Sequence, residues 1–133
     1  MNKETTSGLS EASSNCSLSI LHFNDVYDIQ PGNKEPKGGA AYFKAMLDKY
    51  RLNSTVTLFS GDAFAPALLS SEYEGENMIK PLNSFKIDVA CFGNHDLDYE
   101  LDHVVKLIGK TNFPWLLSNV YDKRTSRRLA EGE

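Results

Sequence analysis

The amino-acid sequence predicts an α/β fold built on a mostly parallel β-sheet. Short apolar runs that are typical of buried strands alternate with stretches in which apolar residues recur at helical spacing. Strand–helix alternation of this kind implies parallel strands joined by crossover helices. Glycine and polar side chains follow three of the apolar runs, at the edge where a parallel sheet binds ligands.

Four apolar runs are predicted to be the strands of this sheet. They contain β-branched or aromatic residues, which favour extended structure. The first and third are apolar almost throughout, as expected for strands of a sheet that is covered on both faces. The predicted strands are residues 18–23, 55–59, 87–92 and 113–117.

Helices are predicted in the connections between these strands. In the clearest case Phe43, Met46 and Leu47 recur at a spacing that places them on one helical face. Pro81 lies inside another helical pattern and is expected to kink or split it. The predicted helices are residues 40–52, 63–71, 75–85 and 101–108.

The chain is predicted to contain one domain between two polar ends. Residues 1–17 hold almost no large apolar side chain, so we expect a flexible polar tail. Residues 18–121 hold most of the large apolar residues and are expected to fold. Residues 122–133 are rich in charge, and their basic cluster is interpreted as a solvated end of the chain.

Composition argues against several functions and compartments. The net charge is −4, from 14 basic and 18 acidic residues, which argues against a nucleic-acid polymer as a partner. Residues 1–15 contain no apolar stretch typical of a signal peptide, and no apolar run is long enough to span a membrane. Two cysteines do not make a disulfide framework. We therefore expect a cytoplasmic protein, and no protein partner is indicated.

Polar residues with metal-binding chemistry follow three of the predicted strands. The carboxyl ends of parallel strands meet at one edge of a sheet, so these residues are expected to converge. Carboxylate, amide and imidazole groups suit divalent cations, and two such cations can clamp a phosphoryl group in transfer. The segments at Asp25 and at Asp62 are each also ordinary turn chemistry, whereas residues 93–96 make a less usual turn. The residues are Asp25, Asp62, Asn94, His95 and Asp96.

At these residues the chain resembles the calcineurin-like metallophosphoesterases, specifically their 5′-nucleotidase branch. The Gly-Asn-His-Asp motif is the most specific of the matching segments, which keep the family order across residues 18–121. The resemblance implies the N-terminal part of a metallophosphoesterase-type sandwich. The matching segments are residues 20–25, 59–62, 93–98 and 116–120.

The resemblance also implies a role for each candidate residue. Asp25 would bind the first of two divalent metal ions, Asp62 would bridge both, and Asn94 would bind the second ion and the substrate phosphate. His95 would contact the substrate and protonate the leaving oxygen, with Asp96 orienting its ring. The sequence does not distinguish Mn, Zn, Fe, Mg or Ca. The implied substrate is a small phosphorylated compound, with nucleotides as the candidate class.

Two features depart from the family pattern. Tyr27 stands where the family's Asp-x-His motif has a histidine, and a neutral phenol is a poorer metal ligand than an imidazole. The family's later Gly-His-x-His motif does not occur within the 133 residues. We therefore expect residues 18–121 to be an incomplete domain and residues 122–133 a truncated end. A sheet cut after four strands is expected to leave uncovered apolar faces, which favour aggregation.

Three functional hypotheses follow from the sequence. The first is a metal-dependent hydrolase of phosphate monoesters, such as nucleotides, that lacks part of its metal site. The second is a catalytically inactive remnant or fragment, acting at most as a metal-binding or interaction module. The third is an unrelated α/β binding domain whose strand ends are ordinary turns, and it predicts that Asp25, Asp62 and Asn94 do not converge.

Overall fold

The centre of the molecule is a four-stranded parallel sheet with the order β1-β2-β3-β4. A computed structural model describes residues 16–128, so the expectations for residues 1–15 and 129–133 lie outside the described part of the chain. The predicted α/β class and the parallel topology are confirmed. The strands are β1 (Ser19–Phe23), β2 (Thr55–Phe59), β3 (Val89–Cys91) and β4 (Trp115–Leu116).

Helices occupy each connection between strands, as predicted. Two short 3₁₀ turns accompany them, at Glu76–Met78 and His95–Leu97. Within residues 16–128, no helix is both long and apolar enough to cross a membrane. The helices are α1 (Ala40–Tyr50), α2 (Leu68–Tyr73), α3 (Ile79–Ser84) and α4 (Leu101–Ile108).

Two of the helical predictions differ in detail from the structure. The pattern over residues 75–85 is split where the 3₁₀ turn meets α3, so Pro81 lies in the first turn of α3, where a backbone N–H has no helical partner. The helix expected over residues 63–71 begins only at Leu68. Ala63 precedes it in a buried loop whose backbone N–H groups donate to a carboxylate instead.

The hydrophobic core lies between one face of the sheet and the helices. Each crossover moves to the next strand in the same direction, and right-handed crossovers of that kind place all connecting helices on one face. Phe59 and Trp115 meet edge to face there, with ring centroids 5.9 Å apart. Large buried apolar side chains of this core include Leu47, Phe59, Phe64, Met78, Leu82, Phe85, Leu107, Phe113 and Trp115.

The opposite face of the sheet is open among the described residues. Ile20 and Leu116 point to that face and are each 56% exposed, and Val56 and Leu58 between them are partly exposed. The expectation of an uncovered apolar face therefore agrees with the structure. Aggregation caused by this face remains a prediction.

Candidate active site

The ends of β1 and β2 bring two aspartates together. The β1–β2 ladder continues past both strands, because the Ser60 N–H donates to the Phe23 carbonyl at 3.0 Å and the Asp25 N–H donates to the Gly61 carbonyl at 3.0 Å. Asp25 and Asp62 both have left-handed backbones, with φ of 58° and 63°. Aspartate tolerates this conformation better than most residues, and such strained positions cluster at functional sites.

Tyr27 connects these two carboxylates. Its hydroxyl lies 2.8 Å from Asp25 Oδ1 and 3.1 Å from Asp62 Oδ2, and it is the donor in both contacts. The hydrogen bond to Asp25, followed by burial and the hydrogen bond to Asp62, raises the pKa of the Tyr27 phenol above its usual range. The phenol is therefore neutral at physiological pH.

The turn after β3 brings His95 to the same place. Its backbone N–H donates to Asp62 Oδ1 at 2.8 Å, and its ring lies edge-on to the Tyr27 ring with centroids 6.1 Å apart. Asn94 is exposed immediately before it, at the start of the 3₁₀ turn. The structure thus unites the three strand ends, which contradicts the hypothesis of unrelated turns. The metal-binding and catalytic roles of these residues stay predictions.

The His95 ring is held by Asp98, and the expectation that Asp96 would contact the ring is wrong. Nδ1 of His95 lies 2.8 Å from Asp98 Oδ2. The physical reason is the 3₁₀ geometry of the turn, in which side chains at positions i and i+3 lie above one another. The hydrogen bond with Asp98 raises the pKa of the His95 imidazole; burial opposes this, and the negative charges nearby add to it.

Asp96 instead fastens two loops to each other. Its carboxylate has no exposed surface and accepts hydrogen bonds from the backbone N–H groups of Asp62 at 2.8 Å, Ala63 at 2.8 Å, Phe64 at 3.1 Å and Gly93 at 3.0 Å. Asp96 therefore determines where the Asp62 and His95 backbones lie relative to each other. Sequence reasoning assigned this carboxylate to the wrong partner, although the i+3 spacing from His95 to Asp98 was visible.

Two glycines allow these loops to come into contact. A Cβ atom on Gly93 would overlap the Asp62 carboxylate, and a Cβ atom on Gly61 would overlap the backbone nitrogen of Gly93. Gly61 also has a φ of +83°, which disfavours any residue with a side chain. The glycines are therefore needed for the close approach of the two loops, in addition to turning the chain.

A cavity of about 410 Å³ opens beside Asp25. Tyr27 and Asp25 form one side of it, and Tyr42, Phe43 and Met46 from the start and middle of α1 form another. The helical spacing of Phe43 and Met46 indicated only a core-facing stripe, so no sequence signal pointed to a cavity here. The cavity therefore borders the candidate site on the side of Asp25 and Tyr27.

The donor groups suit a divalent cation in kind, but they are few. Asp25, Asp62 and Asn94 offer carboxylate and amide oxygens, which hard and borderline cations prefer. Across residues 16–128, no cluster of three or more His, Cys, Asp or Glu side chains has an arrangement that could hold a metal ion. The described residues therefore fit part of a metal site.

The His95–Asp98 pair predicts a pH dependence that NMR can measure. In the metal-free chain, we expect the His95 ring to titrate above its usual pKa of 6.5, and Asp98→Asn to lower that pKa because the main cause of its rise is removed. Since the folded pKa is the higher one, the pair stabilises the fold below pH ~6.5, and this contribution disappears as the pH rises through the folded pKa. Asp102→Asn, which changes a carboxylate on α4, is the control and should leave the His95 titration unchanged.

The sequence of residues 18–131 matches the family described as calcineurin-like phosphoesterase. The chain belongs to this family. The predicted family is thereby confirmed, and phosphoesterases of this family use divalent metal ions. Similarity to 5′-nucleotidases, the predicted branch, extends over most of the chain.

Relatives of this phosphoesterase domain are several times longer than the chain. The 5′-nucleotidase of Vibrio vulnificus (strain CMCP6) is 31% identical over 118 residues, which cover 84% of this chain and 21% of that protein. The 5′-nucleotidase of Vibrio cholerae is 32% identical over 127 residues, which cover 91% of this chain and 23% of that protein. The structure of Haemophilus influenzae NAD nucleotidase (NadN) superposes with a TM-score of 0.71 at 27% identity. The match covers 82% of this chain and 22% of that chain. The chain thus spans less than a quarter of each of these proteins.

Proposed function

We propose that this chain is part of a metal-dependent hydrolase of phosphate monoesters, with nucleotides as the candidate substrates. The observation that carries the proposal is the convergence of Asp25, Asp62 and His95 at the ends of three parallel strands in a calcineurin-like phosphoesterase domain. The printed names of the relatives, 5′-nucleotidase and NAD nucleotidase, support nucleotides as the substrate class.

Asp25, Asp62 and Asn94 would hold the cations of the proposed site. Divalent cations would supply charge neutralisation at the phosphate and activation of water. The chain's own contribution is orientation, because the His95 N–H holds one oxygen of the Asp62 carboxylate in place. A carboxylate held in this way does not have to be ordered when a ligand arrives.

His95 would act as the general acid. Its Nδ1 is paired with Asp98, which leaves Nε2 to face the phosphate ester. The raised pKa of His95 increases the protonated fraction near neutral pH, so the ring can donate a proton to the leaving oxygen. Asp98 would keep the proton on Nδ1 and hold the ring direction, a role that the sequence assigned to Asp96.

A second candidate is a catalytically inactive module that binds a metal ion or a partner. It is favoured by the short donor set and by Tyr27, whose neutral phenol lies where the family pattern has an imidazole.

Phosphatase assays on residues 1–133 separate the two candidates. With Mn²⁺ added, we expect weak release of inorganic phosphate from a nucleoside monophosphate, and a loss of about 100-fold or more in His95→Ala because the alkoxide leaving group of that ester has to be protonated. His103→Ala is the matched control, since His103 lies on α4 and contacts the Glu74 carbonyl instead. Absence of both turnover and metal binding would refute the hydrolase for this chain and favour the inactive module.

A further inference from the structure

The four carboxylate oxygens of Asp25 and Asp62 all accept hydrogen bonds. Asn24 donates to Asp25 Oδ2, and the His95 N–H donates to Asp62 Oδ1. The Tyr27 hydroxyl donates to the two remaining oxygens, Asp25 Oδ1 and Asp62 Oδ2. Tyr27 is thus the one described donor that contacts both carboxylates. Its hydroxyl occupies the space between two oxygens that would otherwise be available to a cation.

We propose that Tyr27 is a hydrogen-bond latch on the cation site, and that a divalent cation enters between Asp25 and Asp62 only when the phenol is withdrawn. The inference rests on the proposed function, because it assigns these two carboxylates to a cation. Its content is separate: a residue at the position of an expected ligand opposes metal binding, and so weakens the affinity of the site.

Electrostatics explains why the hydroxyl and the cation compete. Two carboxylates that face one another repel, and the single hydroxyl proton offsets part of that repulsion. A divalent cation would offset the same repulsion with two positive charges. Because the hydroxyl has one proton for two acceptors, the offset is incomplete, and the site remains negative enough to attract a cation.

The other contacts keep the carboxylates in place when the latch opens. Asn24 still holds Asp25, and the backbone of His95 still holds Asp62, so removal of the hydroxyl does not release either side chain. Tyr27 also lines the cavity of about 410 Å³ beside Asp25. The phenol therefore has space to rotate away from the carboxylates without displacing the packed core.

The test is Mn²⁺ affinity, measured by equilibrium dialysis on the full 133-residue chain. For Tyr27→Phe we expect binding about tenfold tighter than in the native chain, since one hydrogen bond to a charged group no longer has to be broken. Tyr27→His should also bind more tightly, because the hydroxyl is replaced by an imidazole that can ligate. Tyr73→Phe, at the exposed end of α2, is the control and should leave the affinity unchanged.

The outcomes separate the latch from the proposed function. Equal or weaker binding by Tyr27→Phe, with binding abolished in Asp25→Asn/Asp62→Asn, overturns the latch and keeps the metal site. Absence of binding in the native chain and in both Tyr27 variants overturns both. Should Tyr27→Phe not fold, NMR on the native chain decides: Mg²⁺ should shift the Tyr27 ring signals far more than those of Tyr73, and an unmoved Tyr27 ring overturns the latch.

Discussion

Asp96→Ala is expected to lower the free energy of unfolding by about 3–5 kcal/mol, the largest loss we predict for a single side chain. The buried carboxylate accepts four backbone hydrogen bonds, and its removal leaves four N–H groups without that acceptor and a cavity in the loop. A loss of this size is a large part of the total stability of a typical domain, which is about 5–15 kcal/mol.

Urea denaturation followed by the fluorescence of Trp115, the single tryptophan, measures this effect. The matched control is Asp98→Ala, which removes an exposed carboxylate two positions away and should change stability by less than about 1 kcal/mol. Asp96→Asn keeps the shape but loses the charge and one acceptor, so its loss should lie between the two. Equal stabilities of Asp96→Ala and Asp98→Ala would show that the loop contacts do not depend on the carboxylate.

Gly93→Ala is expected to be comparably severe through a different mechanism. The added methyl group would overlap the Asp62 carboxylate, so the β2 and β3 loops could no longer approach each other. We expect a destabilisation of more than about 3 kcal/mol, or failure to fold. If the variant folds, the displaced Asp62 should also weaken Mn²⁺ binding. The melting temperature and the Mn²⁺ affinity measured by dialysis should therefore both fall.

Gly109→Ala is the matched control for the glycine prediction. Gly109 ends α4 with a φ of −63°, and a Cβ atom there would lie 3.4 Å from the nearest atom, the Val105 carbonyl oxygen. Alanine fits that backbone, so we expect a change between neutral and about 1 kcal/mol of stabilisation. If Gly93→Ala and Gly109→Ala melt alike, the loops have more freedom to separate than their contact indicates.

Hydrophobic periodicity was sufficient to locate the main elements of the fold. β2 and α4 have the predicted limits, because Thr55–Phe59 is a continuous β-branched and apolar run and Leu101–Ile108 has a clear apolar face. β4 is shorter than predicted, at Trp115–Leu116. The late start of α2 at Leu68 was not predictable, since it depends on buried loop residues that bond to a carboxylate more than 30 positions away.

The site was predictable as a location and only partly as a set of contacts. Strand-end chemistry correctly brought Asp25, Asp62 and His95 together, because parallel strands carry their carboxyl ends to one edge. The hydrogen-bond partner of each side chain was not predictable from the strand order. Asp96 and Asp98 are both near His95 in sequence, and the 3₁₀ turn decides which of them reaches the ring. The contacts of Tyr27 depend on loop positions that no spacing rule describes.

Two separate requirements restrict which residues can occupy the positions of Asp25 and Asp62. The first is conformational, because the backbone is left-handed there: glycine, asparagine and aspartate tolerate a φ near +60°, whereas β-branched residues do not. The second is chemical, and of those three only aspartate carries a negative charge. Asparagine at either position therefore fits the backbone conformation but removes the negative charge that would attract a cation. It is the substitution that separates loss of cation binding from loss of the fold.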